Sequence, residues 1–284
     1  MSGTYQSDGA QLSYQDTGTG APVVFLHPTP LDHDYWRPML DDLAGSPVTD
    51  PPMRAIVLDL RGHGASELGG ALPAGGFARV PEAPVLSMAQ MAADTLVLLD
   101  KLEVREAVFV GCSIGGYVML ELWRRAPQRM RGLAFVCSKP QADAEPALVK
   151  RAANIALARE SGVAKIFDGM VQLLLGETTR RNRPGIVSEC RSRMRLTTEA
   201  FIAVQAGLAA RPDSIATVAS IDKPVLAIAG GEDTAVNPAD MEAFRATPGG
   251  CDYHLLPDAG HFAAYEQPHA VAALLSKWLR NRHP

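Results

Sequence analysis

Five short runs of apolar residues, separated by segments with helical patterning, limit what this chain can fold into. They cover residues 23–26, 55–58, 107–110, 133–136 and 225–229. Short continuous apolar runs are typical of strands that are buried on both faces, as in a parallel sheet covered by helices. The alternation therefore predicts an α/β fold with a mostly parallel central sheet flanked by helices.

Two of the helical segments have recognisable starts. Ser87 and Gln90 form a capping-box pattern before apolar residues at helical spacing, which predicts a helix from about residue 88. Pro268 suits the first turn of a helix, and residues 271–278 carry apolar side chains on one face. The second segment predicts an amphipathic helix that closes the fold.

Residues 139–211 interrupt the alternation of strands and helices. The segment is rich in Ala, Leu, Arg and Glu, which favour helices, and contains no convincing strand. Because an insertion after a strand end can cover a ligand site, we expect residues 1–138 and 212–284 to form the core and residues 139–211 a helical cap. Residues 68–86, rich in Gly, Ala and Pro, are expected to form either a mobile rim or a disordered loop.

Charge and composition exclude several classes of protein. The chain has 27 Lys and Arg against 31 Asp and Glu, and this acidic balance argues against a nucleic-acid partner. No apolar run approaches the roughly 18 residues of a membrane span, and the first residues lack a signal-peptide pattern, so we expect no membrane partner and a cytoplasmic location. The 4 cysteines contain no CxxC pair and are interpreted as structural or incidental thiols.

A G-x-S-x-G motif at residues 111–115 follows the third apolar run directly and precedes a helical pattern. This strand, turn and helix context is the one the motif requires, because a serine on a sharp turn projects its oxygen above the sheet. Small neighbours at Gly111 and Gly115 avoid collisions, and the helix N-terminus stabilises negative charge. We therefore predict Ser113 as a nucleophile.

A serine nucleophile needs a base, and the base needs an acid that orients it. Asp233 directly follows the apolar run at residues 225–229, and His261 lies between a strand-like run at residues 253–256 and the closing helix. Glu232 is the competing acid. We predict Asp233 as the orienting acid and His261 as the base.

Ser113, Asp233 and His261, with the motifs around them, resemble the serine-dependent α/β-hydrolase fold family. Residues 59–66 are similar to the D-x-R-G-x-G-x-S turn of that family, and residues 259–262 resemble the segment that carries its catalytic histidine. The resemblance covers nearly the whole chain and implies the α/β-hydrolase fold with a helical cap. It argues against dehalogenases and epoxide hydrolases, whose nucleophile is an aspartate.

The resemblance also implies an oxyanion hole formed by the backbone N–H groups of Thr29 and Ile114. Many relatives have H-G-x-P after the first central strand, whereas residues 27–30 read H-P-T-P. Thr29 keeps its own N–H donor, and its hydroxyl either adds a hydrogen bond or caps the turn. Pro30 follows Thr29, and in this feature the segment resembles the cofactor-free haloperoxidases and perhydrolases.

The substrate pocket is predicted to include Pro30, Tyr35, Trp36 and Phe262. The neighbouring D-H-D-Y-W segment at residues 32–36 contains metal-ligand residue types, but no remote cluster of ligands accompanies it. We therefore predict neither a metal nor another cofactor.

Six arginines are concentrated in the predicted cap with only two glutamates nearby. Either they attract a substrate that carries a carboxylate, as in the 3-oxoadipate enol-lactonases that the overall layout resembles, or they form a solvated surface. The solvated surface is the simpler interpretation. The arginines are Arg180, Arg181, Arg183, Arg191, Arg193 and Arg195.

Together these patterns predict a cofactor-independent serine hydrolase that cleaves a small or medium carboxylic ester or lactone through an acyl-serine intermediate. The alternatives are a perhydrolase or haloperoxidase-like activity, a C–C bond hydrolase or lyase on the same triad, and a ligand receptor. The expected partner is the small-molecule ester or lactone. A homodimer is left open.

Overall fold

The computed structural model describes residues 2–45 and 53–282. In this part of the chain eight strands form one sheet with the order β1-β2-β4-β3-β5-β6-β7-β8. The strands are β1 (Ser2–Ser7), β2 (Ala10–Thr17), β3 (Ala21–Leu26), β4 (Met53–Leu58), β5 (Ala107–Cys112), β6 (Met130–Val136), β7 (Val225–Gly230) and β8 (Cys251–Leu256).

Twelve α-helices accompany the sheet in the same described residues. They are α1 (Arg37–Gly45), α2 (Met88–Lys101), α3 (Ile114–Arg125), α4 (Glu145–Ser161), α5 (Ala164–Leu174), α6 (Glu177–Asn182), α7 (Gly185–Arg193), α8 (Thr198–Ala209), α9 (Ile215–Val218), α10 (Pro238–Met241), α11 (Ala263–Glu266) and α12 (Pro268–Arg282).

All neighbouring strands from β4 to β8 in the sheet order pair in parallel, which confirms the predicted fold class. The register keeps the strand ends level: Leu26 lies beside both Leu58 and Gly111, and Val136 lies beside Ile228. Because the carboxyl ends of parallel strands meet at one edge, the loops after β3, β5, β6 and β7 are brought together there.

The sheet begins with an antiparallel hairpin that the apolar runs did not predict. β1 and β2 are joined by Asp8 and Gly9, which both have positive φ angles, 40° and 71°. Two such residues form the tight turn that suits a two-residue hairpin loop. The two strands are only partly buried and carry many polar residues, so they give no apolar run, although Asp-Gly is a recognised hairpin signal.

The predicted helix starts are found in the structure. Ser87 Oγ accepts a hydrogen bond from Gln90 N at 3.1 Å and caps α2. The Gln90 side chain does not complete the capping box but donates to Asp94 Oδ1 at 3.1 Å. Pro268 is the first residue of α12, as expected.

The segment after β6 is helical from α4 to α8 and has no strand within residues 139–211. The loop at residues 68–86 has neither helix nor strand, but backbone hydrogen bonds hold it. Leu86 N donates to Ala203 O of α8 at 3.0 Å, and Val85 N donates to Pro73 O at 2.8 Å. The Phe77 side chain of this loop is buried.

The structure also describes the thiols and the helix lengths that bear on the expectations from composition. All four cysteines are free, and only Cys251 is more than marginally exposed. By length and hydropathy, none of the helices at residues 2–45 and 53–282 could span a membrane.

Candidate active site

The turn between β5 and α3 holds Ser113 in an unusual backbone conformation. Its φ and ψ angles are 52° and −116°, a region that costs free energy for a residue other than glycine. The surroundings fix it there: Ser113 N donates to Val136 O at 3.1 Å, and Ser138 Oγ donates to Ser113 O at 3.0 Å. The serine is thus set on a sharp turn at the carboxyl edge of the sheet.

Close packing explains why glycines flank this serine. A Cβ atom on Gly115 would lie 2.1 Å from the carbonyl oxygen of Leu26, and one on Gly111 would lie 2.6 Å from the carbonyl carbon of Gly115. Both neighbours are backbone atoms that cannot swing away. Glycine at these two positions therefore lets α3 pack directly against the ends of β3 and β5.

Asp233 and His261 are joined by a hydrogen bond. His261 Nδ1 lies 2.8 Å from Asp233 Oδ2, and both side chains are almost completely buried. The other carboxylate oxygen, Oδ1, accepts from the backbone N–H groups of Ala235 and Val236 at 2.8 and 2.9 Å. These three donors fix the orientation of the carboxylate.

Glu232, the competing acid, has a different role. Its carboxylate accepts hydrogen bonds from Thr178 N at 2.8 Å and from Thr178 Oγ1 at 2.6 Å. Thr178 belongs to α6, so this side chain ties the β7 loop to the helical segment. The structure therefore pairs His261 with Asp233 and not with Glu232.

The loop that carries His261 is anchored by a buried carboxylate that sequence reasoning missed. Glu266 accepts from Gly260 N and Phe262 N, each at 3.1 Å, and from Gly176 N at 2.8 Å. Burial raises the pKa of Glu266, although these N–H groups act in the opposite direction. His261 N in turn donates to Leu174 O of α5 at 2.9 Å, so the loop is tied to the helical segment from both sides.

A cavity of about 390 Å³ opens at this edge of the sheet. Ser113, His261 and Thr29 all contribute to its lining, and Asp233 lies behind His261. Its volume is in the range of small-molecule sites. The structure therefore brings the predicted nucleophile, base and acid together beside one cavity.

The predicted pocket residues Pro30, Tyr35, Trp36 and Phe262 are outside this lining, which corrects the prediction. Tyr35, Trp36 and Phe262 are each 0% exposed. Their rings pack on one another, with ring centroids 4.7 Å apart for Tyr35 and Trp36 and 5.9 Å apart for Tyr35 and Phe262. Pro30 is also buried. The apolar character that suggested a pocket places the three aromatic residues in the core instead.

The apolar residues of the helical segment divide between two roles. Met170, Leu173 and Leu174 line the cavity. Phe167 and Phe201 pack edge to face with centroids 5.6 Å apart, inside the segment. One face of α5 therefore supplies the apolar wall of the cavity.

The six arginines noted in the sequence are not part of the described lining. Arg191 pairs with Asp168 at 2.6 Å, Arg193 with Glu189 at 3.2 Å, and Arg181 with Glu177. Arg183 donates to the carbonyl oxygen of Glu266, and Arg195 to that of Ser192. Of the two interpretations, the solvated surface is the one that agrees with the position of these arginines outside the lining.

Other charged and polar residues line the cavity, and they were not predicted from the sequence. They are Lys139, Asp143, Lys150, Arg151 and Asn154. Lys139 and Asp143 follow the end of β6, so the rule that sites lie beyond strand ends could have indicated them. The other three lie on α4, where nothing in the sequence distinguished them.

The Thr29 hydroxyl contacts a buried histidine. His63 Nε2 lies 3.0 Å from Thr29 Oγ1, and His63 Nδ1 lies 3.0 Å from the carbonyl oxygen of Arg61. A carbonyl only accepts, so Nδ1 carries the ring proton and Nε2 must accept from the Thr29 hydroxyl when the ring is neutral. Burial lowers the pKa of His63 to about 3, which keeps the ring neutral at neutral pH. The Thr29 hydroxyl therefore donates its proton to His63 and cannot donate it to a ligand at the same time.

His27 forms a matching arrangement beside it. Its Nδ1 lies 3.0 Å from Pro28 O, and its Nε2 accepts from Leu60 N at 3.0 Å. Burial lowers the pKa of His27 to about 4. The two neutral rings, with centroids 5.0 Å apart, join the loops after β3 and β4.

These two histidines predict that acid weakens the fold. Their folded pKa values lie below the ordinary value of 6.5, so the unfolded chain binds more protons between about pH 3 and 6.5. Stability that is present above pH 6.5 is therefore lost as the pH falls, by about 2 kcal/mol per histidine at pH 5. Urea unfolding of the His33→Asn variant at pH 7.5 and 5 measures this loss, reduced by the opposing contribution of Glu266, whose pKa is raised by burial.

The His33→Asn background is needed because the hydrogen bond to Asp59 raises the pKa of His33, which acts in the opposite direction. Long-range ¹H–¹⁵N spectra supply an independent check on each ring. At pH 5 we expect His27 and His63 to remain neutral with Nδ1 protonated. Imidazolium signals from either ring at pH 5 would contradict the assignment.

The D-H-D-Y-W segment is explained by an ion pair. His33 Nδ1 lies 2.7 Å from Asp59 Oδ1, and Asp59 also accepts from Ala65 N at 2.9 Å. Within the part of the chain that the structure describes, no three His, Cys, Asp or Glu side chains are grouped as metal ligands.

Cys112, next to the nucleophile candidate, is fully buried. Tyr35 Oη donates to its Sγ at 3.2 Å, and burial raises its pKa well above the ordinary thiol value. Since the thiolate is the reactive form, this cysteine is inert at neutral pH.

Comparison with known proteins agrees with the geometry. A family model described as alpha/beta hydrolase fold matches residues 21–268. The chain belongs to this family. The solved structure of a thermophilic esterase from Thermogutta terrifontis with malate bound is 31% identical, with a TM-score of 0.85 over 99% of this chain and 97% of that one. For this α/β hydrolase the similarity thus extends over the whole described fold.

Two curated relatives have other names. The dihydrolipoyllysine-residue acetyltransferase component of the acetoin cleaving system of Cupriavidus necator is 29% identical over 96% of this chain and 67% of its own length. A non-heme chloroperoxidase of Kitasatospora aureofaciens is 28% identical over 63% of this chain and 59% of its own length. The relatives of this α/β hydrolase thus carry names of different activities.

Proposed function

We propose that this α/β hydrolase is a serine hydrolase that cleaves a small or medium carboxylic ester or lactone. The observation that carries the proposal is the 2.8 Å hydrogen bond between Asp233 and His261 beside a cavity that Ser113 also lines. A nucleophile, a base and an orienting acid at one cavity are the parts that acyl transfer needs. The esterase name of the structural relative is consistent with this activity.

The hydrogen bond to Asp233 sets the tautomer of the neutral His261 ring. Because the carboxylate accepts from Nδ1, the neutral ring carries its proton there and leaves Nε2 free to take the proton of Ser113. Ser113 Oγ then forms a bond to the substrate carbonyl carbon. When the bond to the alkoxy group breaks, His261 returns the proton to the leaving oxygen, and Asp233 stabilises the imidazolium in between.

The second half of the reaction uses the same groups. Water gives a proton to His261 Nε2 and attacks the acyl carbon, the bond to Ser113 Oγ breaks, and the serine recovers its proton. In a lactone the leaving hydroxyl stays attached to the acyl part, so one molecule carries both ends of the product. No step requires a cofactor.

The oxyanion would accept from two backbone N–H groups. Ile114 begins α3, so its N–H is one of the first-turn donors without an intrahelical acceptor. Thr29 lines the cavity, and among the described residues no group accepts a hydrogen bond from its N–H. The Thr29 hydroxyl is held by His63, which fixes the loop and leaves the N–H as the donor.

Perhydrolysis is a second candidate activity, because a relative is named a non-heme chloroperoxidase. It differs only in the acceptor: hydrogen peroxide in place of water attacks the acyl-serine and releases a peracid. The same triad serves both reactions.

Pre-steady-state hydrolysis of p-nitrophenyl esters from acetate to decanoate tests the proposal. We expect a burst of p-nitrophenol of about one equivalent per chain for short and medium acyl groups, followed by slower turnover. Addition of hydrogen peroxide diverts the acyl group to peracid if the second activity is present. Steady release without acyl-enzyme, or no release at all, would contradict the acyl-serine ester hydrolase.

A further inference from the structure

The polar wall of the cavity is unusually cationic for this protein. Three cationic side chains, Lys139, Lys150 and Arg151, line it together with a single carboxylate, that of Asp143. The chain as a whole has a formal net charge of −4. A positive wall in an acidic protein produces a local field that attracts anions.

The carboxylate in this wall, that of Asp143, forms ion pairs with two arginines. Asp143 pairs with Arg151 and with Arg211, whose Nη1 lies 2.7 Å from Asp143 Oδ1. Burial alone would raise the pKa of Asp143, but the two guanidinium groups outweigh it and hold the pKa below its usual range. One positive charge of this group of three therefore remains uncompensated.

The donors of Arg151 are only partly used. Its Nε donates to Asp143, and its Nη1 donates to Gln205 Oε1 at 3.2 Å. A guanidinium group has five N–H donors, and among the described residues nothing accepts from Nη2. The group is held in place while part of its donor edge stays open.

Lys150 adds a second uncompensated charge. Lys139 pairs with Asp240 at 3.2 Å, whereas no carboxylate in residues 2–45 and 53–282 lies within ion-pair distance of Lys150. Lys150 and Arg151 lie on the face of α4 that also contributes Ala147 and Asn154 to the cavity. The spacing of these four residues is that of neighbours on one side of a helix.

From this arrangement we infer that the cavity has an anion subsite formed by Lys150 and Arg151, and that the substrate is an ester or lactone carrying a carboxylate away from the reacting carbonyl. The inference rests on the proposed ester hydrolase function and specifies its substrate class. The apolar side chains of the same lining, Met170, Leu173 and Leu174, accommodate the apolar part of such a molecule.

Matched pairs of esters test the subsite. On the acyl side the pair is mono-(4-nitrophenyl) glutarate and 4-nitrophenyl pentanoate, which have the same chain length and differ in the carboxylate. On the alcohol side the pair is 4-(carboxymethyl)phenyl butyrate and 4-ethylphenyl butyrate, with leaving groups of similar reactivity. The carboxylate can reach the subsite from the acyl side or from the alcohol side, so we expect a preference in one of the two pairs. In that pair kcat/KM should favour the anionic ester about tenfold, as a charge-assisted hydrogen bond at a partly exposed site allows.

The variant Lys150→Met should lower that preference about tenfold, and the preference should fall with added salt. Lys165→Met is the control, because Lys165 is an exposed lysine of α5 outside the cavity lining. It should keep the wild-type preference within about twofold. Equal kcat/KM for both members of both pairs in the wild type, or a preference that survives Lys150→Met, would overturn the subsite.

Failure of the hydrolase proposal is recognised separately. If the wild type hydrolyses none of the four esters, calorimetric titration with glutarate reports on the subsite alone. Binding that weakens about tenfold in Lys150→Met and not in Lys165→Met would support an anion subsite in a protein with another activity. Absence of glutarate binding in that case would overturn the inference as well.

Discussion

Replacement of Ser113 by alanine is expected to lower kcat for p-nitrophenyl esters by about 10⁴-fold or more, because the variant cannot form the acyl-enzyme. The remaining rate would come from substrate binding and the oxyanion donors alone. The change itself should leave the fold intact, since the side chain of Ser113 makes no capping hydrogen bond in α3. Initial rates with purified wild type and variant measure the effect.

Ser161→Ala is a suitable control for this comparison. Ser161 is an exposed residue at the end of α4, and its hydroxyl donates to Leu157 O within the same helix at 3.1 Å. We expect this variant to keep the wild-type kcat within about twofold. A Ser113→Ala enzyme that retains more than about a tenth of the wild-type rate would refute Ser113 as the nucleophile.

The second large effect is expected from Asp233→Asn. The asparagine oxygen can still accept from Ala235 N and Val236 N, which places the amide nitrogen toward His261. His261 Nδ1 would then have to accept, the ring proton would move to Nε2, and the base could no longer take a proton from the nucleophile. The loss in kcat should be about 10⁴-fold.

Glu232→Gln provides the matched comparison, because it makes the same chemical change at the neighbouring residue. The Glu232 carboxylate serves Thr178 and does not contact the histidine, so kcat should change by less than about tenfold. If Glu232→Gln were the more damaging change of the two, the assignment of the acid would be reversed.

Much of the fold could be predicted because each buried strand is encoded by a short continuous stretch of sequence. Strands buried on both faces must be apolar throughout, and this produced the runs that became β3 to β7. The positions of Ser113, Asp233 and His261 after strand ends or beside a strand were also readable. The polar, half-exposed hairpin of β1 and β2 carries no such run, and only its Asp8-Gly9 turn indicates it.

The cavity lining could not be predicted in the same way, because it depends on contacts between distant segments. Tyr35 and Trp36 follow the Thr29 loop in sequence, yet they pack into the core. Lys150 and Arg151 lie far from the motifs in sequence but reach the cavity because one face of α4 lines it. The arginines that stood out by number instead pair mainly with nearby acidic residues and carbonyl groups.

Covalent labelling tests most directly whether Ser113 is a nucleophile activated by His261. The wild type is incubated with a fluorophosphonate, and the modified peptide is identified by mass spectrometry. We expect one adduct, located on Ser113, that is absent from Ser113→Ala and forms far more slowly in Asp233→Asn. An adduct on another residue, or none at a concentration that labels serine hydrolases fully, would contradict this role of Ser113.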